Sequence, residues 1–130
     1  ILMVVQINFA QSQSHFDNAR WLFIEYAETL RFSLCFQGVD EELENLPGKY
    51  ATPDGCILLA WDELVCAGCV GLRPLCETVC EMKRLYVEPD YRGTGLGRLL
   101  AEKIVQFGAE KKYSKILLDT LSSMNSAQAL

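Results

Sequence analysis

The stretch VEPDYRGTGLGRLL, residues 87–100, places three glycines at alternate positions directly before an amphipathic run. Glycine costs backbone entropy in regular structure, so a group of glycines indicates a sharp turn or a close approach of the backbone to another group. The apolar residues that follow recur at helical spacing, and they are Leu96, Leu100, Ile104 and Phe107. The stretch therefore predicts a tight turn that leads straight into the N-terminus of a helix.

A turn of this kind is suited to an anion. The first amides of a helix have no partner within it, and the helix dipole adds positive potential there. Glycines let the backbone approach the ligand, and Arg92 and Arg98 add positive charge on either side. The dinucleotide fingerprint G-x-G-x-x-G and the P-loop G-x-x-x-x-G-K-[ST] both fail here. We interpret the turn as a site for pyrophosphate or a similar anion, with a ligand-free connection as the alternative.

The rest of the chain alternates between strand and helix patterns. Strands are predicted at 2–8, 55–62, 63–73, 78–88 and 114–120, and helices at 39–46, 96–113 and 125–130. A longer helix begins at Ser12 or Ser14, with an apolar face formed by Phe16, Ala19, Phe23, Ala27, Leu30 and Leu34. The middle strands predict an antiparallel meander with a turn at Asp62-Glu63, and the last two form a βαβ unit.

These elements indicate an α+β fold of mixed α/β type. We expect a central mixed sheet, with an antiparallel meander plus a βαβ unit and with helices on both faces. A chain of 130 residues is the length of one domain, so residues 1–130 are interpreted as a single domain.

The charge balance narrows the function. Twelve Lys and Arg residues against seventeen Asp and Glu residues give a net charge of −5, which argues against nucleic acid as a partner. No apolar run reaches the roughly 20 residues that a membrane span requires. The opening ILMVVQI is short for a signal peptide and lacks a basic flank. We therefore expect a cytoplasmic protein that does not act at a membrane.

Six cysteines raise the question of a metal. Cys66 and Cys69 have the spacing of a zinc-ligand pair. They lie in an apolar, strand-like run, where residues three apart point to opposite faces. We therefore expect no metal and interpret the thiols as packing groups, with a cysteine–zinc module as a minor alternative.

The segment Arg92-Gly93-Thr94-Gly95-Leu96-Gly97 resembles the Q/R-x-x-G-x-G/A motif of the GNAT superfamily of acyl-CoA N-acyltransferases. The flanking MKRLYVEPDY and LGRLL are similar to the strand before that motif and the helix after it. Downstream, ILLDT and MNSAQAL resemble the next strand and a helix with Asn-x-x-Ala, except that Gln128 stands third after Asn125. The resemblance implies an N-acetyltransferase with acetyl-CoA as co-substrate and a small-molecule or protein amine as acceptor, by direct attack in a ternary complex.

The resemblance also implies the cofactor contacts. Pyrophosphate would lie on the amides of residues 92–97, and the pantetheine arm would pair with the backbone of residues 85–87. One backbone N–H near Tyr86 would polarise the thioester carbonyl. We expect Gly93, outside the two glycine positions of the motif, to tolerate replacement best. The implied cofactor-binding residues are Leu85, Tyr86, Val87, Arg92, Gly93, Thr94, Gly95, Leu96, Gly97, Arg98 and Asn125.

A base is needed because an amine acceptor is mostly protonated at neutral pH. Glu81 stands eleven residues before Arg92, where histone-type members of the family carry a catalytic glutamate, so we predict it as general base; a solvated strand carboxylate is the alternative. Tyr86 is a lesser catalytic candidate, and Glu77 is the weaker candidate for the base. Alternation predicts one face with Glu81, Lys83, Leu85 and Val87, and the other with Met82, Arg84 and Tyr86.

The end of the chain leaves part of the family pattern open. In the family a tyrosine after the Asn-x-x-Ala helix protonates the CoA thiolate, and two more strands follow, whereas this sequence stops at Leu130. We therefore expect a C-terminally incomplete domain, or strands supplied by a partner such as the second subunit of a homodimer.

The acidic residues Asp40, Glu41, Glu42 and Glu44 are interpreted as a solvated helix face, with attraction of a cationic acceptor as the alternative. A catalytically inactive CoA-binding regulatory module is the alternative function.

Overall fold

A computed structural model describes residues 5–29 and 39–118 of the chain. Within these ranges the helices are α1 (Gln13–Thr29), α2 (Val39–Glu44) and α3 (Leu96–Glu110). The strands are β1 (Gln6–Phe9), β2 (Cys56–Asp62), β3 (Val65–Pro74), β4 (Val79–Val87) and β5 (Lys115–Leu118). They form one sheet in the order β1-β2-β3-β4-β5, antiparallel except for the parallel pair β4–β5. The predicted mixed α/β class, the meander and the βαβ unit are therefore confirmed.

Local signals set the bounds of the elements. The hydroxyl of Ser12 accepts a hydrogen bond from the backbone N–H of His15 at 3.2 Å, so Ser12 is the cap that begins α1. The turn between β2 and β3 lies one residue later than predicted, because Asp62 still pairs with Val65. Leu30, Leu34, the C-terminal helix and Asn125 lie outside the described residues.

The helices cover both faces of the sheet, as predicted. On one face the buried side chains of α3, among them Leu100 and Ile104, pack on β2, β3 and β4. On the other face Leu22, Phe23 and Tyr26 of α1 pack on the same strands. None of the helices in the described part of the chain combines the length and apolarity that a membrane span requires.

A β-bulge interrupts β4 and overturns the predicted alternation. Gly71 pairs with Lys83 but Cys69 pairs with Tyr86, so β4 has one residue more than β3 between these pairs. The extra residue shifts the alternation: Met82, Leu85 and Val87 all lie on the α3 face, while Tyr86 lies on the α1 face. The predicted shared face of Glu81, Lys83, Leu85 and Val87 is therefore wrong, because the bulge lies between Lys83 and Leu85.

A second bulge corrects the argument about the cysteines. Trp61 pairs with Cys66 and Ala60 with Gly68, which leaves Ala67 as an extra residue in β3. Cys66 and Cys69 consequently lie on the same face, with α1, and not on opposite faces. Burial raises the pKa of the Cys66 thiol to about 12, and burial also raises the pKa of Cys69. No group of three His, Cys, Asp or Glu side chains in residues 5–29 and 39–118 has a metal-binding arrangement.

Candidate functional site

The glycine turn connects β4 to α3 through a short 3-10 helix, Pro89–Tyr91. Proline at its first position presets the backbone angle and gives up an amide that needs no partner there. The hydroxyl of Tyr91 donates to Asp62 Oδ2 at 2.7 Å, and the hydroxyl of Thr94 donates to the Tyr91 carbonyl. The turn is thus attached to the β2–β3 hairpin before it enters the helix.

The three glycines of the turn differ in conformation. Gly93 has φ +79° and Gly95, the residue that caps α3, has φ +88°, a region that other residues adopt only with strain. Gly97 lies inside α3, and a Cβ placed there would lie 3.6 Å from a methyl of Val87, an ordinary contact. The conformational demand therefore falls on Gly93 and Gly95, which reverses the expected tolerance at Gly93.

The start of α3 presents free donors. The first helical bond runs from the Leu99 N–H to the Gly95 carbonyl at 3.0 Å. The amides of Leu96, Gly97 and Arg98 have no acceptor in the described part of the chain, and glycine supplies no side chain to cap them. These donors and the helix dipole match the anion site that the sequence predicts.

The two arginines beside the turn are held differently. The Arg92 Nε donates to the Val87 carbonyl at 2.9 Å, and its guanidinium lies 5.4 Å from the centre of the Tyr86 ring. Arg98 is exposed and pairs with Glu102 at 3.4 Å. Arg92 therefore ties the turn to β4, whereas Arg98 contributes charge at the open end of the helix.

The end of β4 has one free edge in the described residues. Pairing of β4 with β5 covers Val79 to Met82 and stops there. The Glu88 N–H donates to Ala67 on the β3 side at 2.8 Å, and strand residues alternate in the direction of their amides. The amides of Leu85 and Val87 consequently point away from β3, while that of Tyr86 points toward it. Two donors thus lie on the edge where the pantetheine arm is expected.

Glu81, the predicted base, lies in an ion pair. Arg73 on the neighbouring strand donates through Nε to Glu81 Oε1 at 2.9 Å, and its Nη2 lies at the same distance from that oxygen. Glu77 lies in the exposed turn before β4, at the opposite end of the strand from the glycines. The structure therefore places Glu77 far from the glycine turn. It places the Arg73 guanidinium beside the Glu81 carboxylate.

The structure places Glu25 and Glu88, which were missed from the sequence, in a cluster beside the predicted site residue Tyr86. The buried Tyr86 hydroxyl donates to Glu25 Oε2 at 3.1 Å. Burial, and then the hydrogen bond with Glu25, raise the pKa of Tyr86 to about 12. Burial likewise raises the pKa of Glu88 to about 7, with further contributions from the hydrogen bond and the charge of Glu25. Glu88 directly follows β4, which is the one signal that could have drawn attention to it.

This cluster opens into a surface cavity of about 310 Å³ between α1 and the end of β4. Its walls are both apolar and acidic. They comprise Asn18, Trp21, Leu22, Glu25, Val65, Cys66, Glu88, Asp90 and Tyr91. Trp21 is 67% exposed, so an aromatic surface lies open beside the carboxyl groups.

Known proteins share both the sequence pattern and the architecture. A family model described as acetyltransferase (GNAT) family matches residues 17–130. An uncharacterised N-acetyltransferase of Schizosaccharomyces pombe is 40% identical over 122 residues, which cover 92% of this chain and 75% of the relative.

Solved structures agree in fold. An acetyltransferase of the GNAT family from Staphylococcus aureus has a TM-score of 0.80 at 21% identity, covering 97% of this chain and 80% of that one. The PaiA N-acetyltransferase of Thermoplasma acidophilum, in complex with coenzyme A, has a TM-score of 0.76 at 17% identity, covering 98% and 87%.

Proposed function

Because the chain belongs to the GNAT family of acetyltransferases, we propose that it transfers the acetyl group of acetyl-CoA directly to an amine in a ternary complex. Acetyl-CoA-dependent acyl transfer is the chemistry of this family. The observation that supports the proposal best is the run of amides at the start of α3 that have no acceptor among the described residues. The amides of Leu85 and Val87 on β4 lie beside them and likewise have no partner in that part of the chain. These two sets of donors fit the phosphate end and the thioester end of one extended substrate.

The cofactor contacts follow from this geometry. The pyrophosphate would accept from the amides of residues 93–98, where Gly93 and Gly95 leave the backbone uncovered. The Arg92 N–H, implied by the resemblance, is instead bonded to the Pro89 carbonyl at 3.2 Å. The pantetheine arm would pair with β4 at residues 85–87. A free amide on that edge would stabilise negative charge as it develops on the carbonyl oxygen. Asn125, implied by the resemblance, lies outside the described residues.

The reaction joins the amine nitrogen to the acetyl carbon and breaks the bond from that carbon to sulfur. CoA leaves as a thiolate, which takes up the second proton that the nitrogen loses. The ammonium must first lose a proton, and two carboxyl groups are candidates to accept it. Glu81 has the spacing to the motif, but its Oε1 is already engaged by the Arg73 guanidinium. Glu88 has a pKa of about 7, raised by burial, which suits a base at neutral pH.

Calorimetry with acetyl-CoA and with CoA tests the binding half of the proposal. We expect micromolar to submillimolar dissociation constants for both, and the absence of binding at millimolar ligand would refute the function. Turnover is then measured as released CoA thiol with spermidine, lysine and a peptide that has a free N-terminus. Intersecting initial-rate lines are expected for direct transfer, whereas parallel lines would indicate an acetylated enzyme. Binding without turnover would favour the inactive module.

The candidate bases are separated by matched variants. Glu81→Gln and Glu88→Gln each remove one carboxylate and keep the size of the side chain. The variant that removes the base should lower kcat by a factor of roughly 100 and abolish the rise of rate with pH, at unchanged CoA affinity. If neither variant changes the pH profile, both assignments are wrong.

A further inference from the structure

Arg84 has an unusual backbone conformation. Its φ is +61°, in the left-handed region that a bulky residue occupies only at a cost. Among the described residues, the other non-glycine positions with positive φ are Glu63 and Lys112, which lie in turns outside the strands. Arg84 lies inside β4, at the bulge. Strained residues of this kind persist where the surrounding structure holds them.

The side chain of Arg84 is held by α2. It is 5% exposed, and it donates to both carboxylate oxygens of Glu42, through Nε at 2.8 Å and through Nη2 at 3.2 Å. The hydroxyl of Tyr50 donates to the same carboxylate at 3.1 Å. The guanidinium also lies 5.9 Å from the centre of the Tyr26 ring. Arg84 is thus anchored from α1, from α2 and from the segment that follows α2.

The backbone of Arg84 is anchored as well. Its carbonyl accepts a hydrogen bond from the Cys69 thiol at 3.2 Å. In a trans peptide, the carbonyl of one residue and the N–H of the next point in opposite directions. The peptide plane that directs the Arg84 carbonyl to Cys69 therefore directs the Leu85 N–H away from β3, toward the free edge of β4.

We infer that Glu42 is a positioning residue: its bidentate ion pair with Arg84 holds the bulge of β4 and thereby aims the Leu85 amide at the thioester carbonyl. This inference rests on the proposed function, which assigns that edge of β4 to acetyl-CoA. Glu42 belongs to the acidic stretch on α2 that was interpreted from the sequence as a solvated helix face. Its carboxylate is instead directed inward, onto a residue of the strand.

The role predicts a specific kinetic pattern. The phosphate end of the substrate lies on the glycine turn, which Glu42 does not touch, so CoA binding is retained without the ion pair. The oxyanion donor becomes misaligned, and this loss is expressed in the transition state. Glu42→Gln should lower kcat by roughly 10- to 100-fold and change the dissociation constant of CoA by less than about twofold. Arg84→Lys keeps the charge but loses the paired geometry, and should give an intermediate loss.

The experiment uses the full chain with the best amine of the panel above. Glu41→Gln is the matched control, because Glu41 lies beside Glu42 on α2 but is exposed and forms no ion pair with another described residue. Its kcat should equal that of the unaltered protein. In 15N-labelled protein, the Leu85 amide should shift on addition of acetyl-CoA relative to CoA, and this difference should disappear in Glu42→Gln.

Two results would overturn the inference. One is a folded Glu42→Gln protein with unaltered kcat and an unaltered Leu85 shift. The other is an equal loss of CoA affinity and kcat, which would indicate a general structural role. A lack of CoA binding by the unaltered protein would instead refute the proposed function itself.

Discussion

Two regions meet at the end of β4, and they are built in different ways. On the α3 side, the glycine turn consists of consecutive residues, 92–97, and its shape comes from the backbone conformation of Gly93 and Gly95. On the α1 side, the contacts join distant residues: Glu42 with Arg84, 42 positions apart, and Glu25 with Tyr86, 61 positions apart. The first region offers backbone donors, and the second offers carboxyl groups. A local sequence change should therefore damage the turn alone, whereas changes on the α1 side should affect stability and proton chemistry together.

The largest expected effect on stability is on the α1 side. Glu42→Ala leaves the guanidinium of Arg84 buried without its counter-charge, and breaking a buried pair in this way costs about 3 kcal/mol of unfolding free energy. Urea unfolding measures the loss. Glu41→Ala, at an exposed position of the same helix, should change the free energy by less than about 0.5 kcal/mol. An equal loss of unfolding free energy in the two variants would show that the Glu42–Arg84 pair does not stabilise the fold.

A substitution in the glycine turn should mainly lower CoA affinity, whereas Glu42→Ala mainly lowers stability. Gly95→Val places a branched side chain at φ +88°, which costs about 1–2 kcal/mol for a residue in this region. If the turn relaxes to avoid that strain, its amides no longer converge, and CoA affinity should fall by roughly 10-fold. Calorimetry with CoA measures the change, and thermal unfolding monitors the fold. Unaltered CoA binding in a folded Gly95→Val protein would separate the turn from the cofactor.

The same contrast explains what the sequence could predict. The turn, the helix after it and the βαβ unit were predicted because their signals lie in one continuous stretch, residues 79–118. The faces of Leu85 and Val87 were predicted wrongly, because the bulge that shifts them appears only in the pairing of β4 with β3. The opposite faces of Cys66 and Cys69 were wrong for a similar reason, since an extra residue in β3 is set by pairing with β2.

The carboxyl cluster illustrates the same limit. Glu25 has the pattern of an ordinary polar position on a helix, and Glu88 is the last residue of the predicted strand 78–88, directly before proline. Glu25 and Glu88 come together only when α1 packs on the end of β4, so no spacing along the sequence indicates that they are neighbours. Glu81 lies on the predicted strand, but its pairing with Arg73 depends on the register of β3 and β4.

A pH experiment sharpens the comparison on the α1 side. The pKa of Glu88 is about 7 in the folded protein against 4.5 for an unperturbed glutamate, because of burial first and then Glu25. Between these values the folded state keeps a proton that the unfolded state has lost, so this group makes stability fall as pH rises from about 4.5 to 7. Arg92, Asp90 and Tyr86 also face this carboxyl.

Glu88→Gln removes the titrating carboxyl group, so the fall in unfolding free energy as the pH rises should be smaller in this variant. Urea unfolding is measured at pH 5, 6, 7 and 8 for the unaltered protein and for Glu88→Gln. The difference between the two isolates the contribution of Glu88, because the other titratable groups are present in both proteins. A difference between the two proteins that stays constant across this range would contradict the raised pKa.

The smallest effect is expected at the third glycine. Gly97→Ala adds a methyl group at 3.6 Å from Val87, an ordinary contact, at a position with no positive φ. CoA affinity should change by less than about twofold, and stability should rise by at most about 1 kcal/mol because alanine favours a helix. Calorimetry and thermal unfolding on Gly97→Ala and Gly95→Val in parallel test the distinction. A comparable loss of CoA affinity in both variants would mean that the turn needs glycine to leave room for the ligand, because Gly97 has no positive φ that a side chain could strain.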